Sequence, residues 1–175
     1  MEQAGTVYVL SPTKAEPLAS HEPPCRANQI AFCWSGTKIF MTTEEGKTRI
    51  LAYPSFEPLL RLPEAQGGEE FVLEGHTSAC YVAELQPTGR HLATGGGDSI
   101  ISLWDTQSWI CARTVTKMTG PVRSLSFTWD GSFVVGGSDD GEFLFCPFSA
   151  EDYDFSVGVK SKRDMCADPN DRLWT

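Results

Sequence analysis

Apolar positions along the chain recur two apart, in short runs. Ile30 and Phe32, Ala83 and Leu85, and Leu125 and Phe127 each fall on one face of an extended segment. A glycine dipeptide follows each run (Ser35-Gly36, Thr88-Gly89, Asp130-Gly131), as expected of a hairpin turn. Beyond each turn come a second apolar run, an acidic or glycine-rich turn, and a third run. Pro54, Pro147 and the polar residues after Asp105 stop the third runs, since proline cannot donate to a continuing ladder. Pro58-Leu59-Leu60-Arg61-Leu62 and Trp109-Ile110-Cys111-Ala112-Arg113 are the candidates for fourth strands. Helical periodicity is absent. The pattern predicts an all-β chain of short antiparallel strands.

The runs also repeat as a block. LQPTGRHLATGGGDSIISLWD, from Leu85, aligns without a gap on FTWDGSFVVGGSDDGEFLFCP, from Phe127. Gly89 meets Gly131, Gly95 meets Gly137, Asp98 meets Asp140 and Leu103 meets Phe145, an offset of 42 residues. A weaker copy, IAFCWSGTKIFMTTEEGKTRILAY, puts Thr42 where Thr94 stands. Its longer spacing is assigned to a polar insertion between units, LPEAQGGEEF, residues 62–71. The period is that of the WD-repeat propeller blade. Gly95-Gly96-Gly97-Asp98 joins strand to strand, and no Lys-Ser or Lys-Thr follows. It therefore reads as a hairpin turn with glycines at positive φ, and not as a phosphate loop.

Composition narrows the possible functions. The 175 residues are 41% hydrophobic and carry a net charge of −9. That charge argues against direct nucleic-acid contact, which needs a basic footprint. No apolar run approaches the roughly 18 residues of a membrane span, and the N-terminus has no basic region ahead of an apolar stretch. Cysteines at 25, 33, 80, 111, 146 and 166 form no Cys-x-x-Cys pair and read as free thiols in a reducing compartment. His21, His76 and His91 lie on separate elements, so no metal set is expected. No nucleophile elbow occurs, and no catalytic residue or cofactor is assigned.

Gly75-His76 ahead of Trp104-Asp105 is the WD-repeat signature, with Asp140 its remnant in the next unit. Resemblance to that family implies that His76, Thr94, Asp98 and Trp104 form a buried hydrogen-bond chain. A His-Asp pair beside a hydroxyl could also be read as a hydrolase triad, but the spacing favours a stabilising network. In the third unit Met118, Gly136 and Cys146 stand for His76, Thr94 and Trp104; in the first, Ala52-Tyr53 replaces Trp-Asp. Those units are expected to rely on apolar packing.

Further wording is more specific: Tyr53-Pro54, the strand Pro121-Val122-Arg123-Ser124-Leu125-Ser126-Phe127, and Ser102-Leu103-Trp104-Asp105 with no basic residue after it. These resemble the later repeats of the WD-repeat subunit family of the THO complex, over roughly residues 28–147. The resemblance implies a non-catalytic nuclear scaffold within the transcription–export machinery. Its partners would be other THO subunits, including a large helical scaffold subunit, and indirectly a DEAD-box RNA helicase and mRNA. No membrane and no small-molecule substrate is implied. A chromatin-associated WD scaffold and a substrate receptor of a cullin-type ubiquitin ligase remain alternatives. The second is disfavoured because Gln107 and Ser149 stand where such receptors carry Arg or Lys.

The expected organisation is the end of a truncated blade (1–27), a blade with an inserted loop (28–72), a WD blade (73–116), a WD-like blade (117–158) and a tail or the start of a further blade (159–175). Together these are about three to four blades of a propeller, whose likeness implies a parent of seven. Lys160-Ser161-Lys162-Arg163 reads as a solvated loop, with a minimal nuclear-import or RNA-touching patch as the alternative, and 151–155 as a fourth strand or an acidic docking strip.

Overall fold

A computed structural model describes residues 5–63 and 68–147, and the backbone of 159–161. All regular structure in these residues is β. Strands β1 (Val7–Val9) and β2 (Ala19–His21) form a hairpin. Three four-stranded antiparallel sheets follow. The first contains β3 (Ala27–Phe32), β4 (Lys38–Thr43), β5 (Lys47–Ala52) and β6 (Val72–Glu74). The second contains β7 (Cys80–Leu85), β8 (His91–Gly96), β9 (Ile101–Asp105) and β10 (Cys111–Val115). The third contains β11 (Val122–Phe127), β12 (Phe133–Ser138), β13 (Glu142–Pro147) and β14 (Val159–Ser161). In each sheet, strands pair in chain order. The first strands β3, β7 and β11 stand side by side, so the sheets are successive blades of a propeller.

The outer strands differ from expectation. The 58–62 stretch does not close the first sheet; it makes only the isolated bridges Leu51↔Pro58 and Arg61↔Glu70. Val72–Glu74 pairs with β5 instead, so the 62–71 insertion lies inside the first sheet and the expected boundary at 72 cuts through β6. A strand that begins with proline and lacks alternation offers a poor ladder, whereas three residues suffice for a short edge. Val159–Ser161 pairs with β13, so it closes the third sheet and does not begin another blade. The backbone of Lys160 and Ser161, read as loop, is therefore in that strand. Residues 148–158 lie outside the described set, and with them Ser149 and the 151–155 segment.

Each first strand carries one bulge at its start: Ala27/Gln29, Cys80/Val82 and Val122/Ser124. The shared bulge and register align the three sheets residue by residue, and that alignment differs by one from the expected match of Thr42 to Thr94. Thr42 pairs with Gln29 just past the bulge, as Gly95 pairs with Val82, so Met41 holds the place of Thr94. By the same register Leu51-Ala52, and not Ala52-Tyr53, stands opposite Trp104-Asp105.

The core lies between sheets. Phe40, Ile50 and Leu73 of the first sheet meet Ala83, Leu92 and Trp104 of the second. Ile101, Leu103 and Val115 of the second meet Val122, Val134 and Leu144 of the third. The hairpin covers the outer face of the first sheet through Val7 and Val9. Close approach of neighbouring side chains, from the third sheet at Gly95 and from the inter-sheet loop at Gly96 and Gly97, explains the glycine triplet, and positive φ does not. A Cβ at Gly95 would stand 2.6 Å from Val122 Cγ1, and one at Gly96 2.7 Å from His76 Nδ1. In that turn the left-handed residue is Ser99, with φ 64°. Glycines with positive φ occupy the first turns, Gly36, Gly89 and Gly131 at 67°, 73° and 71°, and the second turns of the other two sheets, Gly46 and Gly141 at 80° and 83°.

Candidate functional site: a hydrogen-bond chain between two sheets

His76 sits in the loop that leaves β6 and enters β7, so it belongs to neither sheet. Asp98 lies in the β8/β9 turn, Thr94 on β8 and Trp104 on β9. Register on β8 and β9 carries Thr94 and Trp104 to one face, turned toward the first sheet. There the four side chains meet. The Trp104 indole N–H donates to Thr94 Oγ1 at 3.0 Å, and Thr94 Oγ1 lies 2.9 Å from His76 Nε2. His76 Nδ1 lies 3.0 Å from Asp98 Oδ1. With the threonine proton directed at Nε2 and the imidazole proton at Nδ1, every donor in the chain meets an acceptor.

Asp98 does more than hold the imidazole. It also accepts the Thr77 N–H at 2.9 Å and the Ile100 N–H at 3.2 Å, tying the inter-sheet loop to the turn. Burial opposes its charge, but the bonds from His76, Thr77 and Ile100 outweigh that and hold its carboxyl below the usual carboxylate range. Ser102 donates to the Gly75 carbonyl at 3.3 Å, closing the other side of the loop.

This geometry has the order of a hydrolase triad but not its access. The Thr94 residue is 1% exposed, and its hydroxyl already accepts the indole N–H. A cleft of about 580 Å³ beside the first sheet is lined by residues including Arg49, Glu70 and Phe71 and by none of the four. A nucleophile needs a place for the reacting atom about 3 Å away, and here that space is filled by protein. The arrangement fastens the loop that connects two sheets to the second of them.

The remaining signature positions act singly. Gly75 lies under the Trp104 ring. Asp105 is outside the chain and caps the following turn, accepting the N–H groups of Gln107 and Ser108 at 3.0 and 2.8 Å. Asp140 accepts from Thr119 and Ser138, in the same turn position as Asp98 but with no histidine. Met118 and Cys146 are buried in one apolar cluster with Ile101. Ile101 Cδ1 occupies the space a Cβ at Gly136 would need, 2.6 Å away, so a side chain of the neighbouring sheet fills the missing threonine's place. Sequence reasoning missed two features here. One is the bulge, visible only in register. The other is Cys33, whose thiol is pushed up by burial but brought down to about 7 by hydrogen bonds from Ser35, the Lys38 N–H and Thr37.

Three bladed sheets of matching register, the second carrying this loop-to-turn chain, define a WD-repeat β-propeller protein. The WD domain, G-beta repeat family matches residues 67–105 and 109–144. Each matched stretch takes in the outer strand of one sheet and inner strands of the next. Within this class the chain is homologous to THO complex subunit 3. It is 36% identical to the Arabidopsis thaliana protein over 132 residues, which are 75% of this chain and 38% of that relative. It is 48% identical over 105 residues to WD repeat-containing protein AAC3 of Dictyostelium discoideum, covering 59% of this chain and 20% of that protein. DDB1- and CUL4-associated factor 13 of Dictyostelium discoideum is 32% identical over 90 residues, 51% of this chain and 20% of its own length. The chain thus spans about two fifths or less of each of these relatives.

Proposed function

We propose that the chain is a non-catalytic WD-repeat scaffold of the THO/transcription–export complex. It acts in the nucleus through protein–protein contacts that couple transcription to mRNA processing and export. The observation that carries this reading is the similarity to THO complex subunit 3, which runs over three quarters of the chain. The fold supports it. The polar side chains that resemble a catalytic set are used to fasten the inter-sheet loop to the second sheet, leaving turns and edges as binding surface. The charge of −9 suits a subunit that meets RNA through basic partners. The similarity to DDB1- and CUL4-associated factor 13 favours the cullin reading as the second one, although Gln107 occupies the position where that reading needs a base.

Affinity purification from nuclear extract, followed by mass spectrometry, tests the assignment. The large helical THO subunit and, more weakly, the DEAD-box helicase should be recovered. Recovery of cullin adaptors in their place would transfer the assignment to a ligase receptor, and recovery of histone-bound complexes to a chromatin scaffold.

A further inference from the structure

The insertion between β5 and β6 builds a wall that the second sheet lacks, where residues 106–110 alone join the same two strands. Leu62, Glu69, Glu70 and Phe71 of that insertion line the 580 Å³ cleft together with Pro24, Cys25 and residues of the β4/β5 hairpin. Arg49, also in the lining, stands opposite Met41 in the ladder, on the face turned to the β1/β2 hairpin. Its side chain is 9% exposed. Glu70 accepts from two of its three nitrogens, Nε at 2.8 Å and Nη2 at 2.8 Å. Nη1 is buried and meets no acceptor among the described residues. We propose that this cleft binds an extended peptide segment carrying a lysine or arginine, with a peptide carbonyl accepting from Arg49 Nη1.

A buried guanidinium N–H without an acceptor is costly, so the position calls for one. The charges of the lining decide its kind. Four carboxylates, those of Glu45, Glu69, Glu70 and Glu74, stand against the cations of Lys47 and Arg49. Arg49 engages Glu70, and Lys47 lies 3.3 Å from Glu74. Glu45 and Glu69 are left with no cation among the described residues. A phosphate or a free carboxylate would bring its acceptor into that surplus of negative charge. A polyamine would suit the carboxylates but leave Nη1 unmet. A peptide with a basic side chain supplies a neutral acceptor and a cation together, and its apolar neighbours meet the half-buried Leu62, Phe71 and Val72. Pro24, Cys25 and the insertion lie outside the strands, so the shift that admits a carbonyl to Nη1 falls on loops. The inference does not depend on membership of the THO complex.

The test uses the full chain and the capped peptide acetyl-Leu-Lys-Leu-Ala-amide, with methyl resonances read by NMR. Those of Leu62 and Val72 should shift saturably, while those of Val122 and Val134, buried between the second and third sheets, stay in place. The Arg49 Nε–H resonance, protected by its bond to Glu70, should move with them. Replacing lysine by norleucine, which keeps the side-chain length and drops the charge, should weaken binding about five-fold. Glu45→Gln and Glu69→Gln should each weaken the lysine peptide about three-fold and leave the norleucine peptide unaffected. Arg49→Met combined with Glu70→Met removes the pair without stranding a charge, so the chain should fold, and both peptides should bind about ten-fold more weakly. Equal affinity for the norleucine peptide, or tighter binding of acetyl-Leu-Glu-Leu-Ala-amide, would overturn the proposal. So would unchanged affinity in the double variant, or shifts at Leu62 and Val72 in which the Arg49 resonance takes no part. A chain that shows no shift at millimolar peptide would overturn it as well, leaving an internal water as the acceptor for Nη1.

Discussion

Gly75 lies so close under Trp104 that a Cβ on the glycine would stand 2.3 Å from Cζ2 of the indole. The loop entering the second sheet thus packs directly against the ring that ends the hydrogen-bond chain. Gly75→Ala must lift the loop or tilt the ring, and overpacking of this kind costs about 1–3 kcal/mol. Urea denaturation should show that loss. An unchanged midpoint would mean the ring is free to move aside.

Trp104→Phe keeps an aromatic ring but loses part of the indole's volume together with its N–H, leaving the Thr94 hydroxyl without its donor. The expected cost is about 1–3 kcal/mol. Combined with Thr94→Val it should cost less than the two separate losses added, since both remove one bond. Additive effects in that double-mutant cycle would show that the bond carries no energy of its own.

Gly136→Ala should destabilise the boundary between the second and third sheets, because its methyl would meet Ile101 Cδ1 at 2.6 Å. Ile101→Val removes that atom. The pair Gly136→Ala with Ile101→Val should therefore recover much of the stability that Gly136→Ala loses, as measured by thermal unfolding. Failure of the rescue would place the strain in the backbone of β12.

The turn residues show how much the sequence could reveal. His76, Thr94, Asp98 and Trp104 come together as resemblance to WD repeats implies; strand period alone accounts only for the shared face of Thr94 and Trp104. The third unit's apolar substitutes were equally visible, since Met118 and Cys146 are simply larger or smaller apolar groups. What supports them was not visible: Ile101 reaches in from another sheet. Thr42 shares its residue type with Thr94 but not its register: the pairs Phe32↔Ile39 and Leu85↔Leu92 set the two sheets 53 residues apart, one more than the threonines. The Gly95–Gly97 run looked like a turn, yet its first two residues belong to β8 and are small because side chains approach from the third sheet and from the inter-sheet loop. Packing between blades is the information a linear pattern lacks.

Asp98 titrates below its ordinary value in the folded chain, so the folded state binds fewer protons there than the unfolded state as pH falls. Its contribution is fully present above the unfolded carboxylate value of about 4 and is lost as pH drops through the lower folded value. Urea midpoints should be level near neutrality and decline below about pH 4. Asp98→Asn should start lower and decline less. An identical decline in both proteins would remove Asp98 as a source of the acid sensitivity.

Cys33 and Cys80 should separate in reactivity. Hydrogen bonding brings the Cys33 thiol down to about 7, whereas burial pushes Cys80 up to about 11. Iodoacetamide at mildly alkaline pH should alkylate Cys33 first, with Cys80 protected until the chain unfolds. Peptide mapping by mass spectrometry reads the order. Simultaneous labelling of both would mean that the second sheet opens on the timescale of the reaction.

The copies in the sequence and the sheets in space are out of step, since β6 and β10 close sheets whose inner strands belong to the copy before. A duplication or loss of one copy would therefore never add or remove a sheet cleanly. It would splice the inner strands of one ancestor to the outer strand of another. Any lengthening or shortening of such a chain has to be compatible at two seams at once, and the number of copies is held in place by its neighbours.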